Sequence, residues 1–411
     1  MKAIILGLLI TVLCAEQGQA YSVLTHEAII DAAWDTSIVP LLLQRFPQTS
    51  LEELVAAHAY AYGGSIIQDM GYYPFGSHFF SDLVHYVRSG DFILRLIRNS
   101  GNVNEYAFSL GALAHYAADN NGHRLATNRA VPLLYPKLRM KFGDTVTYAD
   151  DAVSHVKTEF AFDVLQVAQG HYAPEGYHNF IGFEVAKDLL DRTVVDIYGL
   201  KLQDLVLSEN LAIGSYRRAV SSTIPAMTRV AWQMKKGEIL RDAPTLTRQK
   251  FLYNLSRSNY RKTWGAEYRE PGLGSRLLAW VFRIAPRVGS SRSFAFVTPT
   301  PAVENLFLLS FNSTLDRYRQ LLAAQQANRL TLPNENFDTG TPSKAGSYTL
   351  SDRAYAKLLE KVNQHPDIPA ELRDDILAFY KDADRASAAK ANPKEWEQVQ
   401  AALGRLQTNH K

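Results

Sequence analysis

Residues 115–123 read HYAADNNGH and place two histidines and an aspartate at regular intervals. His115, Asp119 and His123 stand at positions i, i+4 and i+8, so a helix would carry all three near one face. Imidazole nitrogens and carboxylate oxygens presented in this way suit zinc, because the helix fixes their mutual geometry. A buried structural histidine beside a polar helix end would give the same letters, and this segment alone leaves both readings open.

Further histidines and carboxylates occur in order along the same part of the chain. Nine of the 11 histidines lie within the first 178 residues. Asp69 precedes His78 in QDMGYYPFGSH, His155 and Glu159 form another i, i+4 pair in SHVKTE, and His26 lies near the start of the chain. Several such sets together favour a metal centre over a collection of unrelated core and surface residues.

The remaining histidines of this region are interpreted separately. His85 follows His78 by seven residues in SDLVHYV and so lies on a similar helix face. Three interpretations of His85 are open: it donates a hydrogen bond to a residue that binds the metal, it binds the metal itself, or it is structural. His58, His171 and His178 are interpreted as structural.

The first 20 residues have the features of a secretory signal peptide. Lys2 is followed by an apolar run over 3–13 and by a polar stretch that ends in Gly-Gln-Ala, which predicts cleavage before Tyr21. The apolar run is too short to span a bilayer. Cys14, the single cysteine, lies in this leader, so we expect a secreted or periplasmic mature chain without disulfides. Cleavage at Cys14 as a lipoprotein is the alternative.

Composition and periodicity indicate an ordinary globular protein that is mainly helical. The formal net charge is +3, from 44 basic and 41 acidic residues, which is too balanced to indicate nucleic acid as a partner. Apolar residues recur at intervals of three to four residues, as in an amphipathic helix. The clearest such segments are 51–63, 104–120, 150–168 and 183–207. We therefore predict an all-α fold with many helices.

Changes in composition suggest how the chain is divided. Residues 331–347 read as an irregular loop, and short helices with clear starting signals follow it. The predicted units are a signal peptide over 1–20, a catalytic domain over 21–237, a helical or irregular extension over 238–347, and a small helical unit over 348–411.

One stretch of the extension has the pattern of a helix that lies on a membrane surface. Residues 273–289, LGSRLLAWVFRIAPRVG, place Arg276, Arg283 and Arg287 close to one helical face and apolar side chains on another. An ordinary helix packed on the catalytic domain, with solvated arginines, gives the same pattern. Contact with a membrane surface is therefore one of two readings of this stretch.

Four segments together resemble a known family. YSVLTH, QDM…FGSHFF, LAHYAADNNGH and SHVKTE resemble the bacterial zinc-dependent phospholipase C family and the related zinc-dependent single-strand nucleases. The resemblance covers roughly residues 21–165. It implies a helical cleft that holds three zinc ions.

The resemblance also implies which residues hold each ion. One zinc would be held by Asp69, His78, His115 and Asp119. A second would be held by His123, His155 and Glu159. The third would be held by the amino nitrogen and carbonyl oxygen of Tyr21, by His26, and by Asp119 as a bridge. Asp69 would in addition act on the attacking water.

The sequence departs from the family pattern in two places. The mature chain would begin with Tyr21 where the family usually has tryptophan, but the ligand atoms there belong to the backbone. The step DNNGH between Asp119 and His123 is shorter than usual. Gly122 is expected to adopt a left-handed turn that ends the helix and aims His123 at a different metal from Asp119.

The function that this resemblance implies is hydrolysis of a phospholipid phosphodiester bond by a secreted zinc enzyme with a metal-activated water. Paired zinc ions stabilise the attacking and leaving oxygens of an in-line displacement at phosphorus. A single-strand nuclease or nucleotidase is the alternative enzyme, favoured by the short spacing from Tyr21 to His26, and only that alternative has nucleic acid as its partner. A non-catalytic zinc-binding surface protein is the alternative from another class.

Overall fold

The computed structural model describes residues 22–73, 75–168, 183–206, 208–218, 296–365, 368–381 and 393–409. Within these residues the protein is all-α, as predicted, and its extended structure consists of two very short strands. None of the described helices has the length and apolar character needed to cross a membrane. The signal peptide, Tyr21 and the arginine-bearing stretch 273–289 lie outside the described residues.

The helices of the first half surround the predicted ligands. They are α1 (Val23–Ala33), α2 (Val39–Arg45), α3 (Leu51–Ile66), α4 (His78–Tyr86), α5 (Ser89–Asn99), α6 (Val103–Gly122), α7 (Asn128–Leu134), α8 (Pro136–Phe142), α9 (Ala152–Ala168), α10 (Lys187–Tyr198), α11 (Leu202–Leu205) and α12 (Glu209–Arg218). Three shorter turns connect some of them, two of π type at Trp34–Ile38 and His123–Thr127 and one of 3-10 type at Ile67–Tyr72.

The second half contributes one long helix and a smaller group. These elements are α13 (Pro301–Gln326), β1 (Glu335–Asn336), β2 (Thr341–Pro342), α14 (Thr349–Val362), α15 (Ala370–Lys381) and α16 (Pro393–Asn409). The two strands pair antiparallel, with Glu335 opposite Pro342 and Asn336 opposite Thr341. The pair lies inside the segment 331–347 that was predicted as an irregular loop.

Side-chain caps define where the two central helices begin. At the start of α3, Ser50 Oγ accepts a hydrogen bond from the Glu53 amide at 3.2 Å, and Glu53 Oε2 accepts one from the Ser50 amide at 2.7 Å. This reciprocal pair is a capping box. Asn102 caps α6 by accepting a hydrogen bond from the Glu105 amide at 2.9 Å. The caps satisfy amide donors that would otherwise lack partners in the first turn.

Two glycines allow α3 and α6 to pack backbone against backbone. A Cβ atom on Gly64 would lie 1.9 Å from the Phe108 carbonyl oxygen, and one on Gly111 would lie 2.1 Å from that of Ala61. Any larger residue would push the two helices apart. This close approach brings Asp69, in the turn that follows α3, within reach of side chains on α6.

The core is continuous across both halves of the described chain. It includes buried residues from Val23 to Leu406. Helix α13 lies on α6, where Tyr318 donates a hydrogen bond to the Leu110 carbonyl at 2.8 Å. Residues 219–295 lie outside the described residues, so the predicted boundary at 237 stays a prediction.

The expected left-handed turn at Gly122 is not formed, and that prediction is wrong. Gly122 has φ −59° and ψ −53°, which is right-handed helical backbone. The chain continues directly into the π-helical turn His123–Thr127. Such turns widen the helix by one residue and are frequent at functional sites. His123 therefore remains on the helix that carries Asp119.

Candidate metal centre

Four ligand-type side chains from three helical segments converge in the interior. Asp69, His85, His115 and Asp119 each place a ligand atom within 4.8 Å of the others, and all four are buried. Asp69 lies in the 3-10 turn after α3, His85 on α4, and the other two on α6. Of the four residues that the resemblance assigned to one zinc ion, Asp69, His115 and Asp119 are thus brought together.

The two histidines of this cluster have defined tautomers. His115 Nδ1 lies 2.9 Å from the Ser65 carbonyl oxygen, and His85 Nδ1 lies 2.8 Å from that of Ser81. A carbonyl oxygen only accepts hydrogen bonds, so both Nδ1 atoms must donate. Both Nε2 atoms then carry a lone pair in the neutral ring, which is the form that binds a metal.

Both Nε2 atoms face carboxylate oxygens. Asp119 Oδ2 lies 3.1 Å from His115 Nε2 and 3.3 Å from His85 Nε2, and Asp69 Oδ1 lies 3.4 Å from His85 Nε2. Neighbouring ligand atoms of a tetrahedral zinc ion are separated by about 3.3 Å, given zinc–ligand bonds of roughly 2.0–2.1 Å. The separations therefore fit a zinc ion.

The carboxylates support the same conclusion. Neither oxygen of Asp69 and neither oxygen of Asp119 makes a hydrogen bond within the described part of the chain, although both side chains are fully buried. Burial without hydrogen bonds is costly for a polar group and more so for a charged one. A cation among these oxygens and the two Nε2 atoms would satisfy all of them.

The structure does not bring His78 to this cluster. His78 is exposed at the first position of α4, with its ring centroid 5.5 Å from that of Tyr72. His85 lies on the same helix and points inward, and it takes the place that the resemblance gave to His78. The spacing of seven residues between them was a signal for this alternative, but the sequence did not show which end of α4 is buried.

A second cluster lies beside the first. His123, His155 and Glu159 are buried and place ligand atoms within 4.8 Å of one another. His155 Nδ1 lies 3.1 Å from Glu159 Oε1. Burial lowers the pKa of His155 to about 3 and that of His123 to about 4. Both rings are therefore neutral near pH 7, as metal binding requires.

Asp119 lies between the clusters and also faces His26. Asp119 Oδ1 lies 3.5 Å from His26 Nε2, whereas Oδ2 lies 3.1 Å from His115 Nε2 and 4.0 Å from His123 Nε2. The His26 ring stacks on that of His115 at 4.6 Å. The two carboxylate oxygens thus face different histidines, which is the arrangement that a bridging ligand requires. Tyr21, the other predicted ligand on this side, lies outside the described residues.

The charges around Asp119 favour its ionised form. Burial opposes ionisation, but the rings of His115, His85 and His26 together hold the pKa of Asp119 well below its usual range. For Asp69 the balance is reversed, and burial raises its pKa. Two aspartates in one centre therefore differ in proton affinity, which is how active sites separate acid and base roles.

The C-terminal half supplies two further contacts that the sequence did not reveal. Asp338 Oδ1 lies 3.2 Å from His123 Nε2, and the Phe337 ring packs against His85 with centroids 5.1 Å apart. Both residues belong to the segment around β1 and β2. Asp338 and Phe337 lie in a segment without helical apolar periodicity, so the sequence analysis had no pattern that indicated them.

The first half of the chain also matches a known family. Residues 25–202 match the family model described as zinc dependent phospholipase C. Residues 25–202, called the family region below, are thus similar to the zinc-dependent phospholipase C family. Both clusters lie inside the matched residues, whereas Asp338 lies outside them. Neither a curated protein nor a solved structure matches the chain.

Proposed function

We propose that the protein is a zinc-dependent phospholipase C, which hydrolyses the phosphodiester bond on the glycerol side of a phospholipid phosphate. The observation that carries the proposal is the pair of adjacent buried clusters inside the family region, in which Asp119 of the first cluster lies 4.0 Å from His123 of the second. Paired metal sites of this kind are the usual means of displacing an oxygen at phosphorus. The products would be a diacylglycerol and a phosphorylated headgroup.

Zinc bound at these clusters would supply an acidic bound water and positive charge for the phosphate oxygens. The chain's own contribution begins with Asp69, which we propose accepts the proton of the attacking water. Its carboxylate oxygens make no hydrogen bond within the described residues, and burial raises its pKa toward the working range of a general base. Asp119 would join Asp69 as a metal ligand, since its oxygens face His115 and His85 on one side and His26 on the other.

Aromatic residues close the centre from one side. Phe337 packs on His85 and lies 6.0 Å from the His115 ring, and Tyr72 lies 6.0 Å from the His85 ring. Apolar walls lower the local dielectric and strengthen every charge interaction with a developing phosphorane. They also limit how much bulk water reaches the reacting atoms.

Three further parts of the proposal rest on residues outside the described part. The mature chain would begin at Tyr21 and be secreted or periplasmic. Its amino group and carbonyl would join His26 and Asp119 at a third zinc ion, which gives three ions per chain. Contact with the membrane surface would bring the enzyme to its substrate.

The test is a comparison of substrates. The purified full chain is incubated with phosphatidylcholine vesicles and with single-stranded DNA, each with and without a chelator. Release of diacylglycerol and phosphocholine that stops with chelator and returns with zinc supports the proposal. Cleavage of DNA alone would identify the nuclease alternative. Bound zinc without cleavage of either substrate would identify a non-catalytic zinc protein.

Asp69→Asn gives the matched active-site control for this assay. It keeps the size of the side chain but removes the proton acceptor, so hydrolysis should fall roughly 100-fold or more. His78→Gln alters an exposed residue at the start of α4 and should leave the rate within about twofold, since His78 belongs to neither cluster.

A further inference from the structure

Asp338 is held in one orientation by contacts on every side. Tyr86 donates a hydrogen bond to Oδ2 at 2.8 Å, and Tyr348 donates a second one to the same oxygen. The Asp338 amide donates to Asn336 Oδ1 at 2.9 Å. The side chain is buried. These contacts leave Oδ1 as the oxygen that faces the metal centre.

The contact between Oδ1 and His123 bears on which nitrogen of that ring is protonated. Oδ1 lies 3.2 Å from His123 Nε2, and an ionised carboxylate only accepts hydrogen bonds. A hydrogen on Nε2 would complete this contact, and Nδ1 would then carry the lone pair. Nδ1 makes no hydrogen bond within the described residues and lies 4.0 Å from Glu159 Oε1. It is the ring atom that is available to a metal.

The backbone of Asp338 acts on His155 through Asn128. Asn128 Nδ2 donates a hydrogen bond to the Asp338 carbonyl at 2.8 Å, which fixes the orientation of the amide. Asn128 Oδ1 then lies 2.9 Å from His155 Nε2 and can only accept from it. The Val146 carbonyl lies 3.1 Å from the same nitrogen. His155 therefore also has its hydrogen on Nε2 and presents Nδ1 to Glu159.

We propose that Asp338 is a positioning residue that completes the second metal site from outside the family region. It fixes the Nε2–H tautomer of His123 through its carboxylate and that of His155 through Asn128, so both rings present Nδ1 to the ion. Partners of this kind orient metal-binding histidines and strengthen their ligation. The inference rests on zinc binding at the second cluster, which is part of the proposed function.

Asp338→Asn tests the carboxylate directly. The two tyrosines will retain the amide oxygen as their acceptor, so the NH₂ group will face His123 Nε2. That contact favours a proton on Nδ1, which blocks the metal-binding atom. We expect zinc affinity at the second cluster to fall roughly 10- to 100-fold, and affinity at the first cluster to stay within about twofold.

Glu335→Gln is the matched control in the same segment. Glu335 accepts a hydrogen bond from Tyr116 at 3.0 Å, and its carboxylate makes no hydrogen bond or ion pair with a ligand of either cluster among the described residues. Zinc titration of this variant should reproduce the unaltered protein at both clusters. Unchanged affinity in Asp338→Asn would overturn the proposal, whereas equal losses in the two variants would show a general effect of the segment and would also overturn it.

The unaltered protein provides a readout that needs no variant. In the zinc-loaded full chain labelled with ¹⁵N-histidine, His123 and His155 should show protonated Nε2 and zinc-bound Nδ1 signals. Zinc on Nε2 of His123 would overturn the proposal even if Asp338→Asn fails to fold. Neither measurement uses turnover, so a protein that binds zinc in this way but cleaves no phospholipid would contradict the proposed function alone.

Discussion

The Nε2 atoms of His85 and His115 lie 3.4 Å apart, although the residues are 30 positions apart in the chain. Each ring already donates its Nδ1 hydrogen to a backbone carbonyl. The two Nε2 atoms therefore face each other beside two buried carboxylates. Burial lowers the pKa of His85, but the Asp119 and Asp69 carboxylates outweigh it and raise that pKa to about 10. The centre therefore favours positive charge, which is a proton on His85 when no metal is bound and would be a metal ion when the neutral rings coordinate one.

His85→Gln should remove zinc from the first cluster. The glutamine cannot place a ring nitrogen among Asp69, His115 and Asp119, so we expect the loss of at least one zinc ion per chain and a fall in hydrolysis of roughly 100-fold or more. Elemental analysis of the purified protein measures the ion. His78→Gln is the control and should keep full zinc content, whereas the reverse result would restore His78 as the ligand.

Asp119→Asn should cause greater damage than His123→Ala. An amide carries no charge and is a poor bridge between two metal ions. Asp119 faces His26, His115 and His123, so its loss should lower zinc content at more than one cluster and reduce activity further than the histidine variant. Metal content and turnover should be measured on both variants. Equal and small losses would contradict a shared centre.

Acid should destabilise the metal-free protein through His155. Burial lowers the pKa of this ring to about 3 in the folded protein, against 6.5 for an unperturbed histidine, so below pH 6.5 the unfolded chain binds a proton that the folded protein does not. The free energy of unfolding therefore falls as the pH falls. Between pH 7 and pH 5 this residue alone should contribute a loss of about 2 kcal/mol.

Denaturant titrations of the chelated protein at the two pH values measure this loss. The same titrations on His155→Gln provide the comparison, since glutamine does not titrate. The variant should lose about 2 kcal/mol less than the unaltered protein over this range. An equal loss in both proteins would show that His155 is not the group responsible.

Gly111→Ala should loosen the contact that positions the centre. The added methyl would lie 2.1 Å from the Ala61 carbonyl oxygen, so α3 and α6 must separate. We expect a loss of at least about 2 kcal/mol in the free energy of unfolding, together with weaker zinc binding at the first cluster. Gly214→Ala is the control, because its methyl would meet no atom within 4 Å at an exposed position of α12. It should be neutral or stabilise by about 0.5–1 kcal/mol.

An extended N-terminus tests the predicted third zinc ion. A form with extra residues before Tyr21 would have no free amino group at that position, and an amino group must be unprotonated and uncapped to bind a metal. We expect this form to fold, to bind one zinc ion fewer than the form that starts at Tyr21, and to lose most of its hydrolysis. Equal zinc content and equal turnover would remove Tyr21 from the ligand set.

The sequence predicted the all-α fold from local apolar spacing, and its local pairs of histidine and carboxylate favoured a metal centre. Apolar spacing predicted α3, α6 and α9, and the i, i+4 pairs placed His115 with Asp119 and His155 with Glu159. The choice between His78 and His85 depends on which end of α4 is buried. Which end is buried depends on how α4 packs against other elements, and these long-range contacts could not be predicted from this single sequence.

Contacts between segments that are distant in the chain were the part of the site that the sequence predicted least well. Asp338 and Phe337 lie in a short irregular segment whose position depends on β1, β2 and the helices on each side. Gly122 was misjudged because glycine permits a left-handed turn but does not require one. At that position the interior packing of α6 and α13 keeps the backbone helical into the π-helical turn.

The hydrogen bond from Tyr86 to Asp338 joins residues 252 positions apart. Closing so long a stretch of chain costs entropy before any contact compensates for it, and such long-range contacts slow folding. During synthesis the family region emerges first, while the aspartate that orients His123 emerges more than a hundred residues later. The second metal site is therefore completed late in folding, after most of the polypeptide has been made.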